Sequence, residues 1–213
     1  MESVENKSAR ADRILGLLEQ AHPDAHCELD YGTDFQLLVA VILSAQCTDK
    51  RVNIVTEKLF AEYGKPEDFA VMPQEKLETL IRSCGFFRAK ARSIISASTD
   101  IVERFGGKVP RTMDELLSLR GVGRKTANVM LSVAFGESAI AVDTHVFRLS
   151  HRLGLSDKPT PEGVENDLTK EISPEMRSKA HHLLIFHGRY VCHSRNPECD
   201  KCNVTEFCNY IKG

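Results

Sequence analysis

The sequence has no apolar stretch near the roughly 20 residues that a transmembrane helix needs. Its first residues, MESVENKSARADR, are polar and of mixed charge, so they lack the apolar centre of a secretory signal peptide. Strand-like alternation and low-complexity linkers are missing as well. With 42% hydrophobic and 27% charged residues, the composition is typical of a globular protein, and we expect it to be cytoplasmic.

The chain also lacks a large positive charge, since its net charge of −2 argues against a general nucleic-acid binder. The distribution of charge is more informative. Residues 86–125 contain nine Lys or Arg against four Asp or Glu, a local balance of +5. A basic segment on a slightly acidic protein fits a localised site for a polyanion, although a solvated basic helix face gives the same count.

Apolar residues recur at helical spacing along almost the whole chain. The pattern predicts a first helix over 8–21 and a strongly apolar helix, FQLLVAVILSAQ, with Asp34 as its N-cap. Thr48 or Asp49 can cap the next helix, and another helix is predicted over 124–135. These short, closely spaced elements predict an all-α fold.

The stretch LRGVGRKTA, residues 119–127, places two glycines directly before a predicted helix. A helix, then Gly121-Val122-Gly123, then a helix is the layout of a helix-hairpin-helix element. Glycines let backbone N–H groups approach a phosphate, and the following helix start adds free donors and a positive dipole end. Arg120 and Lys125 beside the turn favour phosphate binding over a plain corner between helices, which the two glycines alone would also explain.

Four of the seven cysteines lie within the last 22 residues, at Cys192, Cys199, Cys202 and Cys208. Their spacing, C-x6-C-x2-C-x5-C, suggests a metal site in a reducing compartment rather than disulfides. Spacing alone leaves tetrahedral zinc and an iron–sulfur cluster open. The other cysteines stand among apolar neighbours and are expected to be buried thiols: Cys27, Cys47 and Cys84.

Four motifs occur in an order that resembles the endonuclease III family of the helix-hairpin-helix DNA glycosylase superfamily. They are ILSAQCTD, GVGRKTANV, AIAVDTHVFRLSHRLGL and the terminal cysteine group. The resemblance implies two helical domains with DNA bound between them. A six-helix domain with the helix-hairpin-helix would span 27–137. The second would combine 1–26 with 138–213 and carry a [4Fe–4S] cluster on the four cysteines.

The resemblance also implies an activity and its catalytic residues. The protein would be a bifunctional DNA glycosylase and abasic-site lyase that removes oxidised pyrimidines from damaged double-stranded DNA. Lys125 would be the nucleophile that forms a Schiff base, and Asp143 would support it with a carboxylate. Taken alone, Lys125 could be a solvent-exposed lysine and Asp143 a helix cap. We expect a monomer that associates with the bacterial nucleoid while it acts on DNA.

Four further residues are expected to contact DNA. Gln46 matches the position that fills the gap left by a flipped nucleotide, and Phe86 matches a wedge position that is usually leucine. Alternatively, Gln46 could cap a helix end and Phe86 could belong to the core. Arg120 stands where the family often has proline, and Arg195 lies in the loop HSRNPE between two cysteines.

Two other functions remain to be weighed against this one. A noncatalytic helix-hairpin-helix protein would grip phosphate without chemistry, and the presence of both Lys125 and Asp143 argues against it. Adenine-mismatch glycosylases usually lack lysine at the position of Lys125. They also carry a glutamate in the earlier helix motif, where this chain reads SAQCTD.

Overall fold

The computed structural model describes residues 4–212 and, from Asn6 onward, their side chains. The α-helices are α1 (Val4–Ala21), α2 (Asp34–Ser44), α3 (Asp49–Glu62), α4 (Pro66–Ala70), α5 (Gln74–Leu80), α6 (Phe87–Phe105), α7 (Met113–Ser118), α8 (Arg124–Val129), α9 (Thr144–Arg152), α10 (Pro161–Glu171), α11 (Arg177–Tyr190) and α12 (Asn209–Lys212). Residues 4–212 contain no β-strand, which confirms the predicted all-α fold. None of the described helices is long and apolar enough to cross a membrane.

The chain divides into two compact units. The continuous unit comprises Glu28–Phe135, whereas the discontinuous unit joins the chain up to Cys27 to the chain from Gly136 onward. The first therefore contains α2 to α8, and the second contains α1 and α9 to α12. The functional domain over 27–137 that the family resemblance implies stays a prediction beside these bounds.

Helix α2 forms the centre of the continuous unit. Eight of its 11 residues are buried, and it packs against α3, α6 and α8. Its N-cap is Thr33, whose hydroxyl accepts a hydrogen bond from the Gln36 amide at 3.2 Å. The prediction of Asp34 as the cap was wrong by one residue. Asp34 instead lies in the first turn, where its negative charge is favourable near the positive helix end.

Helix α1 completes the core of the discontinuous unit. Its Ala11, Ile14, Leu15 and Leu18 are almost fully buried against residues from α9, α10 and α11. Burying a leucine or isoleucine side chain in this way stabilises a fold by about 1.5–3 kcal/mol. Arg10 adds polar contacts, because its guanidinium donates to the carbonyls of the two residues after α9, at 2.6 and 2.7 Å.

Two local features differ from the predicted helices. The sequence pattern did not predict α4, because five residues are too few to show helical periodicity. The helix predicted over 124–135 is α-helical only through α8 and continues as a π-helical segment, Met130–Ala134. A π-helix widens the turn without changing which residues are apolar, so composition gives no signal for it.

Candidate functional site

The predicted hairpin consists of α7, a tight turn and α8. Thr112 caps α7, and its hydroxyl also donates to the Glu115 carboxylate at 2.8 Å. In the turn, Gly121 has φ +82°, and a Cβ there would lie only 2.5 Å from the Cβ of Ser93 on α6. Gly121 is therefore required twice, by its backbone conformation and by close packing against α6.

Gly123 has a different role from Gly121. It is the N-cap residue of α8 with φ −95°, and a Cβ built on it would meet no atom within 4 Å. Neither conformation nor packing within the protein requires glycine here. The missing side chain instead leaves the first N–H groups of α8 open to a group that approaches from outside. Val122, between the glycines, is buried and anchors the turn.

Three cations surround this open helix start. Arg120, Arg124 and Lys125 are all exposed, and Lys125 lies in the first turn of α8. The side chains that follow, from Ala127 onward, are buried and fix α8 to its unit. Lys125 is therefore an accessible amine on a firmly packed helix, next to backbone donors that suit an anion.

Asp143 is the N-cap of α9, as predicted. Its Oδ1 accepts hydrogen bonds from the backbone N–H groups of His145 and Val146, both at 2.8 Å. Two such donors hold the carboxylate in one orientation. Asp143 is half-buried and belongs to the discontinuous unit, whereas Lys125 belongs to the continuous one, so each is described within its own unit.

The structure brings together the segments that carry Gln46 and Phe86. A Cβ on Gly85 would lie 3.4 Å from the carbonyl oxygen of Gln46. Both Gln46 and Phe86 have left-handed backbones, with φ +52° and +56°, which is uncommon for residues other than glycine. Phe86 is the N-cap of α6 and its side chain is 66% exposed. The alternative interpretation of Phe86 as a core residue was therefore wrong.

The four C-terminal cysteines line one cavity with about 260 Å³ of empty space. Pro197, Tyr210 and Ile211 contribute apolar parts of its wall. All four cysteines are free thiols. Within the described residues, no three His, Cys, Asp or Glu side chains are arranged to hold a single metal ion.

Polar groups that the sequence analysis did not single out surround this cavity. Arg152 donates to the Cys192 sulfur at 3.1 Å and to the His193 carbonyl at 2.8 Å. Nε2 of His187 lies 3.4 Å from the Cys202 sulfur, and its Nδ1 lies 3.1 Å from His22. Arg152 closes the motif DTHVFRLSHR, whose length was the available signal. His187 had no comparable signal.

Burial sets the protonation of these groups. It lowers the pKa of His187 to about 4, with a smaller effect from His22, so the imidazole is neutral at pH 7. Burial also raises the pKa of the Cys202 thiol, and the three other cysteines act in the same direction. Turning the four thiols into thiolates therefore requires a strongly positive partner inside the cavity.

The loop between Cys192 and Cys199 carries the predicted Arg195. Arg195 is exposed, and its neighbour Asn196 has φ +52°. His193 and Glu198 face each other at 3.7 Å across the same loop. The charge of Glu198 is thus directed partly toward the loop itself, and Arg195 remains accessible from outside.

Comparison with known proteins identifies the family. The model for "HhH-GPD superfamily base excision DNA repair protein" matches residues 39–174. Endonuclease III of Bacillus subtilis is 51% identical over 187 residues, covering 87% of this chain and 85% of the relative. Endonuclease III of a Synechocystis species is 49% identical, with 98% and 95% covered. The chain belongs to the endonuclease III family.

A solved structure extends the similarity to three dimensions. It is a trapped covalent intermediate between an endonuclease III and DNA, 46% identical in sequence, with a TM-score of 0.93. The alignment covers 100% of this chain and 98% of that one. The family predicted from the four sequence motifs is therefore confirmed.

The two hairpin glycines should respond differently to alanine. Gly121→Ala is expected to lower the free energy of unfolding by about 1–3 kcal/mol, because the new Cβ meets Ser93 and the backbone stays left-handed. Gly123→Ala should change it by less than about 0.5 kcal/mol, since the position is open. Urea unfolding followed by circular dichroism measures both, and equal losses would contradict the assignment.

Proposed function

We propose that this protein is a base-excision-repair DNA glycosylase with abasic-site lyase activity. The observation that carries the proposal is Lys125, an exposed amine in the first turn of α8, directly after the open Gly123. The endonuclease III of similar fold has been trapped in covalent union with DNA. A noncatalytic phosphate-binding role would leave the position of this lysine unexplained.

The hairpin supplies the contact with the DNA backbone. The N–H groups at the start of α8 and the positive helix end suit a phosphate, and Gly123 leaves them accessible. Arg120 adds a cation to the same turn. Contacts of this kind position DNA without reading its sequence, which suits an enzyme that must act at any position.

The chemistry follows from the accessible amine. The damaged nucleotide leaves the base stack, and the neutral amine of Lys125 attacks C1′, so that a C–N bond forms as the glycosidic bond breaks. Opening of the sugar ring gives an imine, which makes the C2′ proton acidic. Loss of that proton forms a C=C bond and expels the 3′ phosphate. Asp143 stabilises the positive charge that develops at C1′.

Substitution of the proposed nucleophile provides the decisive experiment. Lys125→Ala should abolish the covalent adduct that borohydride traps on an abasic-site duplex, because no other amine is assigned to C1′. The adduct is measured as a mobility shift on a denaturing gel.

Lys58→Ala is the matched control, since Lys58 is an exposed lysine on α3 outside the basic segment. It should be trapped as efficiently as the natural protein. An unchanged adduct yield from Lys125→Ala would show that another residue is the nucleophile.

Asp143→Asn separates the capping role from the catalytic one. Asparagine caps helices about as well as aspartate, so the free energy of unfolding should change by less than about 1 kcal/mol. Loss of the charge should slow single-turnover base excision by about 100-fold, as expected for a group that stabilises charge in the transition state. Asp143→Ala, which removes both roles, should also be less stable. A full excision rate in Asp143→Asn would leave Asp143 as a cap only.

Two exposed residues would act on the duplex around the lesion. We assign Gln46 to the gap left by the flipped nucleotide and Phe86 to a wedge between neighbouring bases. The two segments are adjacent and Phe86 presents most of its ring to solvent, which supports both assignments. Arg195 would add a backbone contact from the loop between the cysteines.

The cysteine cavity suits a [4Fe–4S] cluster. Four free thiols surround a space larger than one metal ion needs, and Arg152 already donates to one sulfur. Cys192, Cys199, Cys202 and Cys208 would hold the cluster, which supplies positive charge for four thiolates and cross-links the chain end. With every ligand position taken by cysteine, its role is structural or redox-tuning.

Metal analysis tests the cofactor. Protein purified without oxygen should contain iron and absorb visible light through thiolate-to-iron charge transfer, and Cys202→Ser should lose most of both. Cys27→Ser, which changes a cysteine outside the cavity, should keep both. Stoichiometric zinc without iron would overturn the assignment.

The proposed substrates are oxidised, ring-saturated or fragmented pyrimidines in double-stranded DNA, as the family resemblance implies. We expect a monomer, in the cytoplasm and on the nucleoid. The adenine-mismatch alternative gains no support, since Lys125 is present and accessible.

A further inference from the structure

Lys90 has an unusual position for a lysine. It lies in the first turn of α6, and only 6% of its surface is exposed. Its ammonium donates hydrogen bonds to the carbonyl oxygens of Leu43, at 2.8 Å, and Ala45, at 2.7 Å. Those carbonyls belong to the last turn of α2 and to its C-cap.

This ammonium has no carboxylate partner in the part of the chain that the structure describes. Its polar surroundings are the two carbonyls and the thiols of Cys84 and Cys47. Burial raises the pKa of Cys84 to about 11, so that thiol is neutral and cannot serve as a counter-ion. Burial also lowers the pKa of Lys90. Stabilisation of the charge therefore comes from the negative end of α2.

The two contacts of Lys90 lie immediately before Gln46. The backbone N–H of Lys90 also donates to the carbonyl of Phe86 at 3.1 Å, in the first turn of α6. One residue is thus bonded to the segment that carries Gln46 and to Phe86 itself. Gln46 and Phe86 are two of only three non-glycine residues with positive φ among the described residues. Such conformations persist only where surrounding contacts hold them.

We infer that Lys90 is a positioning residue that fixes Gln46 relative to Phe86, so that both side chains enter the duplex as one unit. This rests on the proposed function, in which Gln46 fills the vacated gap and Phe86 separates bases. A buried ammonium on two consecutive turns of backbone is a stiffer connection than a surface ion pair. Lys90 touches neither the sugar nor the reacting bond, so it acts through Gln46.

The inference separates two substrates that undergo the same chemistry. An abasic site in a duplex leaves a gap opposite its partner base, whereas the same strand without its complement has no gap to fill. Lys125 must perform the same elimination on both. Loss of Lys90 should therefore slow the duplex reaction more than the single-strand reaction.

The experiment compares single-turnover lyase rates on one abasic oligonucleotide with and without its complement. Lys90→Met removes the charge and donors but keeps the stem, and should lower the duplex-to-single-strand rate ratio at least about tenfold, the scale expected for a misplaced group. Lys90→Arg keeps a cation and should restore most of that ratio. Lys58→Met, an exposed lysine of the same unit, should match the natural protein.

Two further measurements tie the effect to Gln46. In a Gln46→Ala background, Lys90→Met should lower the ratio by less than about twofold more, because coupled residues do not act additively. 2-Aminopurine placed opposite the abasic site should report weaker insertion in Lys90→Met through its fluorescence.

Equal slowing on both substrates, or no slowing on either, would overturn the inference. If Lys90→Met does not fold, as judged by circular dichroism, Lys90→Gln replaces it, and failure of both to fold would make Lys90 a stability element instead. Failure of the proposed function is distinct, since the natural protein itself would then cut neither substrate.

Discussion

Helix α2 has almost no polar surface that could remain in water, and this constrains everything around it in the continuous unit. Eight of its 11 residues are buried, so α3, α6 and α8 must enclose it. Enclosure carries the C-terminal end of α2 into the protein, where its last carbonyls need donors. Lys90 supplies them. The apolar core thus determines where Gln46 begins.

Helix α6 connects the parts of the candidate DNA interface that lie in this unit. Its N-cap is Phe86, its first turn holds Lys90, and its Ser93 packs beneath Gly121 of the hairpin. A packed helix of 19 residues is stiff, so these features keep a fixed spacing along it. The hairpin and the gap-filling segments are therefore placed by the same element, although they are distant in sequence.

Most of the fold could be predicted from the sequence, because helical periodicity and polar caps such as Thr48 and Asp143 are local signals. The motif residues of the hairpin and the cysteine group could also be found locally. The remainder depends on tertiary contacts. A buried lysine has the same letter as an exposed one, so Lys90 gave no signal. The left-handed backbones of Gln46 and Phe86 follow from packing, since neither residue type favours that conformation.

The discontinuous unit has a consequence for synthesis on the ribosome. Helix α1 emerges first, but the helices that cover its apolar face begin at Thr144. About 120 residues separate Ala21 from Thr144, so at roughly 5–20 residues per second α1 waits on the order of ten seconds for its partners. The continuous unit emerges whole during that interval. Nascent chains should therefore complete the hairpin-bearing unit first, while α1 stays an exposed amphipathic segment that chaperones can bind.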